Sequence, residues 1–385
     1  MKVAIVHDDF IQHGGAERLV LAMLKIWPQA DLYSVTASDT WRSKIKKLPP
    51  DLPARAGADQ PRAESNKEIN TTWVAKLPFK EELFRYYYSL YPLAVESFNF
   101  DGYDLVVSSS ARYAHGVITK PGTVHVAYVN SPARFIWQED LVPRGYVAGK
   151  IVSWHKAWDR VASDRPDYVI ANSKTSAGRI RKYWNRKPDA IVYPFIDTER
   201  FTRSSLIGLD PLGSNPLGMM GYFLVVSRLN KWKRVDVAIE ACNDLKLPLV
   251  IVGRGDNWEY LRRISGPTVT FLDDVSDNEM SSLYLGCKAL IMTQEEDFGM
   301  TALEAQACGK PVIAFRSGGA LETVVEGVTG VFFDSQNKES LKIVLHQFDP
   351  KLFLGENCTT QASKFGSARF KEELKEFCEH VLRNN

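Results

Sequence analysis

The sequence predicts an α/β protein made of two doubly wound domains, each a parallel sheet covered on both faces by helices. Strand-like and helix-like patterns alternate along almost the whole chain, and this alternation favours parallel strands joined by crossover helices. The length of 385 residues is more than one hydrophobic core usually supports. A stretch rich in Gly and Pro, 204–221, separates two such series of elements and is typical of an interdomain linker.

Apolar runs bounded by turn residues predict the strands of each series. Helices are expected between them, for example at 16–27 and at 173–184, where Ser173 suits the N-cap position. A last helix, amphipathic in pattern, is expected at 367–382. The first series has predicted strands at 3–7, 32–35, 105–108, 124–129, 168–171 and 191–193. The second has them at 222–227, 248–252, 269–271, 289–293, 312–314 and 330–333.

Composition indicates a globular protein. Charged residues make up 24% and hydrophobic residues 45% of the chain, and no long apolar segment predicts a membrane span. The chain starts on a strand pattern rather than a signal peptide, and its five scattered cysteines form no Cys-x-x-Cys pair. We therefore expect reduced, mostly buried thiols in a cytoplasmic protein. The first 200 residues are net basic, which suits a membrane surface or a diphosphate, although scattered solvated charges explain it equally well.

One segment combines two carboxylates with the start of a helix. Glu296 and Glu304 lie eight residues apart on either side of Gly299, between an apolar run and a helical pattern. Glu296 should lie in a strand-to-helix loop, and Glu304 about one turn into the helix. The free amides of a helix N-terminus between them attract phosphate. This combination suits a nucleotide sugar better than a nicotinamide cofactor; a solvated capping pair is the alternative.

Other strand ends of the second series carry charge and glycine. Arg228 and Lys233 follow its first strand, where fixed cations can stabilise a departing nucleoside diphosphate; a solvated basic turn is the alternative. Gly253-Arg254-Gly255 follows the second strand, and its glycines permit close approach of a ligand. After the third strand, backbone near Val275 can meet the edge of a base. Asp273-Asp274 in that loop predicts a solvated turn rather than a metal site, because no spaced acidic or His partner accompanies it.

These motifs, in this order, resemble those of the retaining glycosyltransferases of family four, which have the GT-B fold. The resemblance covers nearly the whole chain and is strongest at 225–330. Each motif alone is weak, whereas the ordered set is specific. In the second half the set comprises Ser227-Arg228-Leu229 with Lys233, Val252-Gly253-Arg254-Gly255, Glu296-Asp297-Phe298-Gly299 with Leu303-Glu304-Ala305, Gly309-Lys310-Pro311-Val312-Ile313-Ala314, Gly318-Gly319 with Glu322, and Gly327 with Gly330. In the first half it comprises Gly14-Gly15-Ala16-Glu17-Arg18, Ala171-Asn172-Ser173-Lys174 and Tyr193-Pro194-Phe195-Ile196-Asp197-Thr198-Glu199-Arg200-Phe201.

The resemblance implies two Rossmann-like domains, 1–203 and 222–366, facing a central cleft, with the C-terminal helix, 367–385, crossing back onto the first. It also implies a donor site. Glu304 would hold the ribose hydroxyls, and Glu296 would bind hydroxyls of the transferred sugar. The diphosphate would be neutralised by two cations, and other donor contacts would come from seven positions. The two cations are Arg228 and Lys233; the seven positions are Gly14, Gly15, Arg254, Val275, Phe298, Gly299 and Met300.

Retention of configuration, with neither a protein nucleophile nor a metal ion, is likewise implied by the family. On the acceptor side the chain departs from the family pattern. Many relatives carry a histidine near the end of the strand at 105–108, where this chain has Ser109 or Ser110, with His115 a few residues later. His115 either reaches the transferred sugar or is a satisfied structural histidine. The next strand leads to Asn130-Ser131-Pro132, where relatives often read His-Thr-Pro.

The segment 128–137 resembles a subgroup that builds cell-surface polysaccharide, often by mannosyl transfer. Ser109, Asn130 and Arg134 are therefore the expected acceptor contacts. Two clusters mix aromatic and basic residues: 84–92, flanked by Lys76, Lys80 and Arg85, and 179–187. An acceptor carried on polyprenyl diphosphate would need an apolar, cationic dock of this kind. The alternative is core aromatics on helices with solvated basic faces; nucleic-acid binding is disfavoured because no binding motif accompanies the charge.

We expect a metal-independent retaining glycosyltransferase at the inner face of the cell membrane. It would move a hexose, mannose from GDP-mannose in the first instance, to a lipid-linked or nascent surface glycan. One alternative is transfer from UDP-glucose or UDP-N-acetylglucosamine. A second is a catalytically silent nucleotide-sugar-binding partner of a biosynthetic complex. A two-domain dehydrogenase is excluded because no Gly-x-Gly-x-x-Gly follows a strand with an acidic residue downstream.

Overall fold

The computed structural model describes residues 1–12, 14–48, 67–138, 146–198, 201, 217 and 220–384, and it confirms the predicted fold class. Two parallel sheets, each flanked by helices, form two compact units. One unit comprises Met1–Tyr193 with Lys371–Asn385, and the other comprises Pro194–Phe370. Most of the linker expected at 204–221 lies outside the described residues. Across the described ranges, no helix combines the length and the apolar character needed to cross a bilayer.

The first unit is built on seven parallel strands. The strands are β1 Val3–His7, β2 Asp31–Ser34, β3 Ile69–Thr71, β4 Leu105–Ser110, β5 Val124–Val129, β6 Tyr168–Ala171 and β7 Ala190–Ile191. They lie in the order β3-β2-β1-β4-β5-β6-β7. The helices are α1 Gly15–Ile26, α2 Asp39–Lys46, α3 Phe84–Tyr87, α4 Tyr91–Glu96, α5 Arg134–Trp137, α6 Tyr146–Ala162 and α7 Lys174–Trp184.

Burial on both faces explains the apolar runs that predict these strands. Every residue of β1, β4 and β5 is buried, as expected of parallel strands covered by helices. On one face, aromatics such as Tyr91, Phe100 and Tyr113 pack over the sheet centre. Further along the same face, Trp184 of α7 packs against β5 and β6. Ser173 caps α7, as predicted, by accepting from the Ser176 amide at 3.0 Å.

The second unit is built on six parallel strands. The strands are β8 Tyr222–Val226, β9 Leu249–Val252, β10 Val269–Leu272, β11 Cys287–Met292, β12 Val312–Phe315 and β13 Gly330–Phe333. Their order is β10-β9-β8-β11-β12-β13, the doubly wound arrangement of dinucleotide-binding folds. The helices are α8 Val235–Leu245, α9 Trp258–Ile264, α10 Asp277–Gly286, α11 Met300–Ala307, α12 Ala320–Thr323, α13 Lys338–Gln347 and α14 Gly355–Ser363. The last helix, α15 Ser367–Arg383, begins in this unit, and its residues from Lys371 onward belong to the first unit.

Two glycines keep the loops of the second unit close together. A Cβ on Gly253, whose φ is +142°, would lie 1.9 Å from the Ser227 carbonyl oxygen. A Cβ on Gly255 would lie 2.4 Å from the Leu229 carbonyl oxygen. The loops after β8 and β9 therefore touch backbone to backbone, which no other residue type allows. These glycines hold the loop that carries the predicted cations, and nothing in their packing requires a ligand.

The edges of the first sheet differ from the prediction. The last strand lies at Ala190–Ile191 rather than at 191–193, and the edge strand Ile69–Thr71 follows no predicted pattern. The last helix has the predicted apolar stripe, with Phe370 and Leu374 fully buried. All five cysteines lie in the described part and are buried free thiols.

Candidate functional site

The strand order of the second unit fixes where a crevice opens. β8 pairs with β9 on one side and with β11 on the other. The connections therefore leave the carboxyl ends of β8 and β11 in opposite directions, and open parallel sheets bind ligands in the gap that results. The loops after these two strands carry Lys233 and Glu296.

Lys233 and Glu296 form an ion pair at this gap. The Lys233 ammonium donates to Glu296 Oε1, although the residues are 63 positions apart in the chain. Lys233 is 7% exposed, and its main-chain carbonyl accepts from the Thr293 hydroxyl at 3.0 Å. The Gln294 amide donates to the same Glu296 oxygen at 2.9 Å. One cation and one carboxylate are thus held side by side, an arrangement that can bind an anion beside a hydroxyl group.

The turn between Glu296 and α11 is held by a second glycine pair. Gly299, the N-cap of α11, has a φ of +89°, a conformation that glycine adopts without strain. The Gly319 amide donates to the Glu296 carbonyl at 2.8 Å, and a Cβ on Gly319 would lie 2.3 Å from Phe298 Cα. Phe298 itself is buried. The amides that open α11 at Met300 therefore start from a fixed turn, which suits the predicted phosphate or sugar contact.

Glu304 lies in the second turn of α11, as predicted, and is oriented by a buried tyrosine. The Tyr284 hydroxyl donates to Glu304 Oε2 at 2.9 Å. Burial, together with the charge of Glu304, raises the pKa of Tyr284 well above its ordinary value, so the hydroxyl stays a donor. With one oxygen fixed by Tyr284, the carboxylate keeps a defined orientation.

The other predicted donor residues are more loosely placed. Arg228 is exposed in the loop that also carries Lys233. Arg254 is exposed and pairs with Asp273 at 3.4 Å. Val275 is half-buried and precedes Ser276, the cap of α10. These side chains follow neighbouring strands at the same edge of the sheet, but among them only Arg254 has a charged partner in the described ranges.

In the first unit the predicted acceptor residues lie near the end of β4. Ser109 is buried, and its hydroxyl accepts from the Asn130 amide at 3.3 Å. Arg134 lies in α5 and donates to Gln138 at 2.9 Å. Gly14 caps α1, and Gly15 is its first residue, so both lie at the first strand-to-helix turn as expected.

His115 is packed wholly inside the first unit, and its surroundings favour the structural alternative. Its Nδ1 lies 3.1 Å from the Ser110 hydroxyl, and its Nε2 lies 3.4 Å from Asp159 Oδ1. Trp137 and Trp184 donate to the other Asp159 oxygen, each at 2.6 Å. Burial lowers the pKa of His115 to about 3 and raises that of Asp159 to about 7. Both side chains are fully buried, so neither presents an exposed side to a ligand.

Asp159→Asn should make stability depend more steeply on pH. In the wild type, the pKa of Asp159 is raised on folding, so the protein loses stability as pH rises from about 4 to 7. The pKa of His115 is lowered on folding, so the protein loses stability as pH falls below 6.5. These two effects of pH on the free energy of unfolding have opposite signs, so the pair contributes little pH dependence where the two pH ranges overlap. The variant keeps only the His115 slope, about 1.4 kcal/mol lost per pH unit below 6.5. Denaturant unfolding at several pH values measures this, and parallel wild-type and variant profiles would contradict it.

A second cluster, the two aspartates that follow β1, was not predicted from the sequence. Both Asp8 and Asp9 are fully buried. Asp8 accepts four backbone amides, from residues 111–114, at 2.6–3.0 Å. Asp9 pairs with Arg112 at 2.8 Å, and burial raises its pKa. Their position directly after a buried strand, at the β1/β4 crossover point, is the signal that could have found them.

The two aromatic and basic clusters differ in exposure. In the first, Tyr91 is buried, whereas Tyr86 is 76% exposed and the neighbouring Phe79 is 70% exposed. In the second, Trp184 is buried and Arg186 donates to three main-chain carbonyls at 2.7–3.0 Å. The second cluster is therefore accounted for by packing. The first keeps exposed aromatic rings, close in sequence to Lys76.

Known proteins are similar to this chain in sequence. Residues 215–348 match the family described as Glycosyl transferases group 1. The chain is 26% identical over 247 residues to D-inositol 3-phosphate glycosyltransferase of Corynebacterium kroppenstedtii, covering 57% of this chain and 54% of that protein. It is 28% identical over 202 residues to alpha-1,3/1,6-mannosyltransferase ALG2 of Dictyostelium discoideum, covering 43% of this chain and 48% of that protein. The alignments thus span about half the length of these relatives.

A solved structure has the same fold over its whole length. Anabaena Alr3699/HepE in complex with UDP superposes with a TM-score of 0.66, at 18% identity, over 99% of this chain and 100% of that chain. The two-domain architecture is therefore that of GT-B glycosyltransferases, as the sequence motifs predicted.

Proposed function

We propose that this chain, whose residues 215–348 match the group 1 glycosyltransferases, transfers a hexose from a nucleotide sugar with retention of configuration. The observation that carries the proposal is the Lys233–Glu296 pair at the crossover between β8 and β11. A buried cation held against a carboxylate, beside the amides that open α11, suits a sugar diphosphate. The Tyr284-oriented carboxylate of Glu304 suits the two hydroxyls of a ribose.

In the proposed reaction, the bond between the anomeric carbon and the diphosphate oxygen breaks as a bond to the acceptor hydroxyl forms on the same face. The acceptor proton passes to the departing phosphate oxygen. Negative charge that builds on the diphosphate meets Lys233 and Arg228, and such preorganised charge is the largest catalytic term in comparable sites. Glu296 binds hydroxyls of the transferred sugar. No protein nucleophile takes part.

The two cations take the role that a divalent ion has in other sugar transfers, so we propose that the reaction needs no metal. Asp273, the acid that most resembled a metal ligand, pairs with Arg254 instead. Turnover should be unchanged by EDTA, and a loss that Mg²⁺ restores would overturn this part of the proposal.

Mannose from GDP-mannose is the donor we propose, and a nascent or lipid-linked surface glycan is the acceptor. Two observations support this choice: the resemblance of 128–137 to polysaccharide-building enzymes and the similarity to a relative named as a mannosyltransferase. The UDP-sugar alternative is supported by the structural neighbour, which was solved with UDP. Ser109 and Asn130, in contact near the end of β4, are the acceptor contacts we propose.

We also propose that the chain works at the inner face of a membrane. The exposed rings of Phe79 and Tyr86 lie close in sequence to Lys76 and Lys80, and together they would give an apolar and cationic surface on the first unit. A lipid-linked acceptor would bring its diphosphate to such a surface. Binding to vesicles that contain anionic lipid, and its loss in Phe79→Ser with Tyr86→Ser, tests this part.

A thermal-shift panel tests the proposed donor. GDP, GDP-mannose, UDP-glucose and UDP-N-acetylglucosamine are each added to the full chain. A ligand at a hundredfold excess over its Kd stabilises the folded state by about 2.7 kcal/mol, so the true donor raises the Tm. A shift with GDP-mannose and not with the UDP-sugars is expected. The reverse pattern selects the alternative donor, and no shift with any nucleotide would overturn the function.

Slow hydrolysis of the bound donor separates an enzyme from a silent partner. Without an acceptor, a site with working cations should still release the sugar to water at a low rate. We expect free mannose to accumulate from GDP-mannose, measured by chromatography. A donor that binds with a clear thermal shift and yet stays intact over a day would favour the silent partner.

Glu304→Ala should weaken binding of the nucleoside diphosphate by about 10- to 100-fold, because charged hydrogen bonds to the ribose are lost. Glu304→Gln is the matched variant, since it keeps an acceptor for the Tyr284 hydroxyl and removes the charge. We expect it to lose less affinity and little stability. Calorimetric titration with GDP measures both variants, and wild-type affinity in Glu304→Ala would contradict the ribose role.

A further inference from the structure

A cleft of about 540 Å³ opens in the second unit. This volume lies within the range of small-molecule sites. None of the residues predicted to bind the donor lines it. Its lining residues are Lys231, Arg234, Asp236, Asn257 and Tyr260.

The cleft and the proposed donor site share one loop. Lys233 turns inward to Glu296, whereas Lys231 and Arg234 line the cleft. Arg234 has a φ of +52°, a left-handed conformation that is costly for a long side chain and that concentrates at ligand-binding sites. The loop therefore directs the adjacent residues Lys233 and Arg234 to different places, Lys233 to the proposed donor site and Arg234 to the cleft. Gly255 packs on Leu229, which fixes the backbone where this loop begins.

The charges of the cleft leave one cation uncommitted. Arg234 donates to the Asp236 carboxylate at 3.1–3.3 Å, and these two charges neutralise each other. Lys231 is exposed and forms no ion pair with any residue in the described ranges. The cleft therefore has a net positive charge from Lys231, and it favours a ligand with one negative group.

The remaining lining groups suit a sugar ring. Tyr260 is 40% exposed, and the Arg263 guanidinium lies 5.6 Å from the centre of its ring, so part of the ring stays accessible to an apolar partner. Asn257, half-buried, offers both a donor and an acceptor to hydroxyl groups. A pyranose presents a patch of C–H groups with hydroxyls around its edge, which matches an aromatic ring flanked by amide and charged groups. A purely apolar ligand would leave the amide and the charges unsatisfied.

We propose that this cleft is a glycan-binding subsite, separate from the donor site, that takes an acidic hexose unit. The sugar ring lies on Tyr260, its hydroxyls meet Asn257, and its carboxylate or phosphate group meets Lys231. The choice of a glycan rests on the proposed function, because a transferase that extends a polymer gains from holding that polymer beside the transfer site. Such a subsite lowers the KM for a long acceptor without changing the chemical step.

Binding of defined sugars to the full chain tests the inference. The probes are trigalacturonate, mannose 6-phosphate and neutral mannotriose, measured by calorimetric titration. We expect trigalacturonate or mannose 6-phosphate to bind about fivefold more tightly than mannotriose, the effect of one partly exposed charge contact. Binding of trigalacturonate would identify the negative group as a carboxylate, and binding of mannose 6-phosphate would identify it as a phosphate. Equal binding of acidic and neutral sugars, or binding of neither kind, would overturn the proposal.

Two variants assign the binding to this cleft. Lys231→Gln should abolish the preference for the acidic sugar, and Tyr260→Ala should weaken every sugar by about tenfold. Lys351→Gln, which removes an exposed lysine elsewhere in the same unit, is the control and should bind like the wild type. Wild-type affinity in Tyr260→Ala would place the sugar elsewhere and refute the subsite.

The outcome is independent of the donor experiments. Donor-induced thermal shifts and donor hydrolysis should be the same in Tyr260→Ala and wild type, because the residue lies outside the donor site. A chain that binds acidic sugars but no nucleotide sugar would refute the proposed transferase and leave the subsite standing. A chain that binds its donor and no sugar would refute the subsite alone.

Discussion

Turnover should fall below about 10⁻⁴ of the wild-type rate when both cations of the loop after β8 are removed, in Arg228→Ala with Lys233→Ala. Loss of a single preorganised charge contact costs roughly 10²- to 10³-fold in kcat. Lys233 is nearly enclosed and faces Glu296, whereas Arg228 is exposed. We therefore expect Lys233→Ala alone to account for most of the loss. Initial rates of sugar transfer and of donor hydrolysis measure it.

The matched control lies in the same turn. Lys231→Ala removes an exposed cation two residues from Lys233 and should leave donor hydrolysis unchanged. If the rate of donor hydrolysis falls as far in Lys231→Ala as in Lys233→Ala, the loss comes from the overall positive charge of the loop and not from Lys233 in particular. Appreciable transfer by the double variant would rule out the diphosphate role of both cations.

Stability has to be separated from chemistry in this experiment. Removing one partner of a buried ion pair typically costs about 3–5 kcal/mol, and here the partial exposure of both side chains, 9% and 20%, reduces that cost. Lys233→Ala with Glu296→Gln removes both charges together and should melt closer to the wild type than Lys233→Ala does. If this pair of substitutions restored transfer, the loss in Lys233→Ala would have been a folding defect.

The site of the second unit could be predicted because strand order and chemistry agree. Charged residues after the first and fourth strands of a doubly wound sheet meet at one crevice, so Lys233 and Glu296 could be assigned to it without coordinates. Their direct contact could not be predicted, because it depends on how two loops 63 residues apart pack. The same holds for Tyr284, whose hydroxyl meets Glu304 from a different helix.

The edge strands of the first sheet and the surroundings of its buried polar residues were harder to predict from the sequence. The strand Ile69–Thr71 has a single buried side chain, so it has no apolar run to predict it. His115 matched a family position approximately, but whether it faces a ligand or the core depends on the packing of Trp184 and Asp159. Sequence patterns record which residues are apolar; they do not record which polar residues find a buried partner.

Asp8 shows most clearly what the sequence could not reveal. A carboxylate after a strand is an ordinary feature of a sequence. The importance of Asp8 appears only in the folded chain, where β4 pairs with β1 and the turn 111–114 lies beside the Asp8 carboxylate. Both carboxylate oxygens then accept backbone amides that have no other partner in the described hydrogen bonds. The turn that follows Ser109 and Ser110 is therefore held by one side chain from another strand.

Asp8→Asn should be among the most destabilising substitutions in the first unit. The asparagine keeps the size of the side chain, but it loses the charge and places an amide donor where two backbone amides donate. At least two amides of the turn are left unsatisfied, at about 1–3 kcal/mol each, so we expect a loss of about 2–6 kcal/mol in the free energy of unfolding. Asp167→Asn is the matched control, because that exposed carboxylate accepts one backbone amide, from His125 at 2.8 Å. It should cost less than about 1 kcal/mol, and equal losses in the two variants, measured by denaturant unfolding, would refute the special role of Asp8.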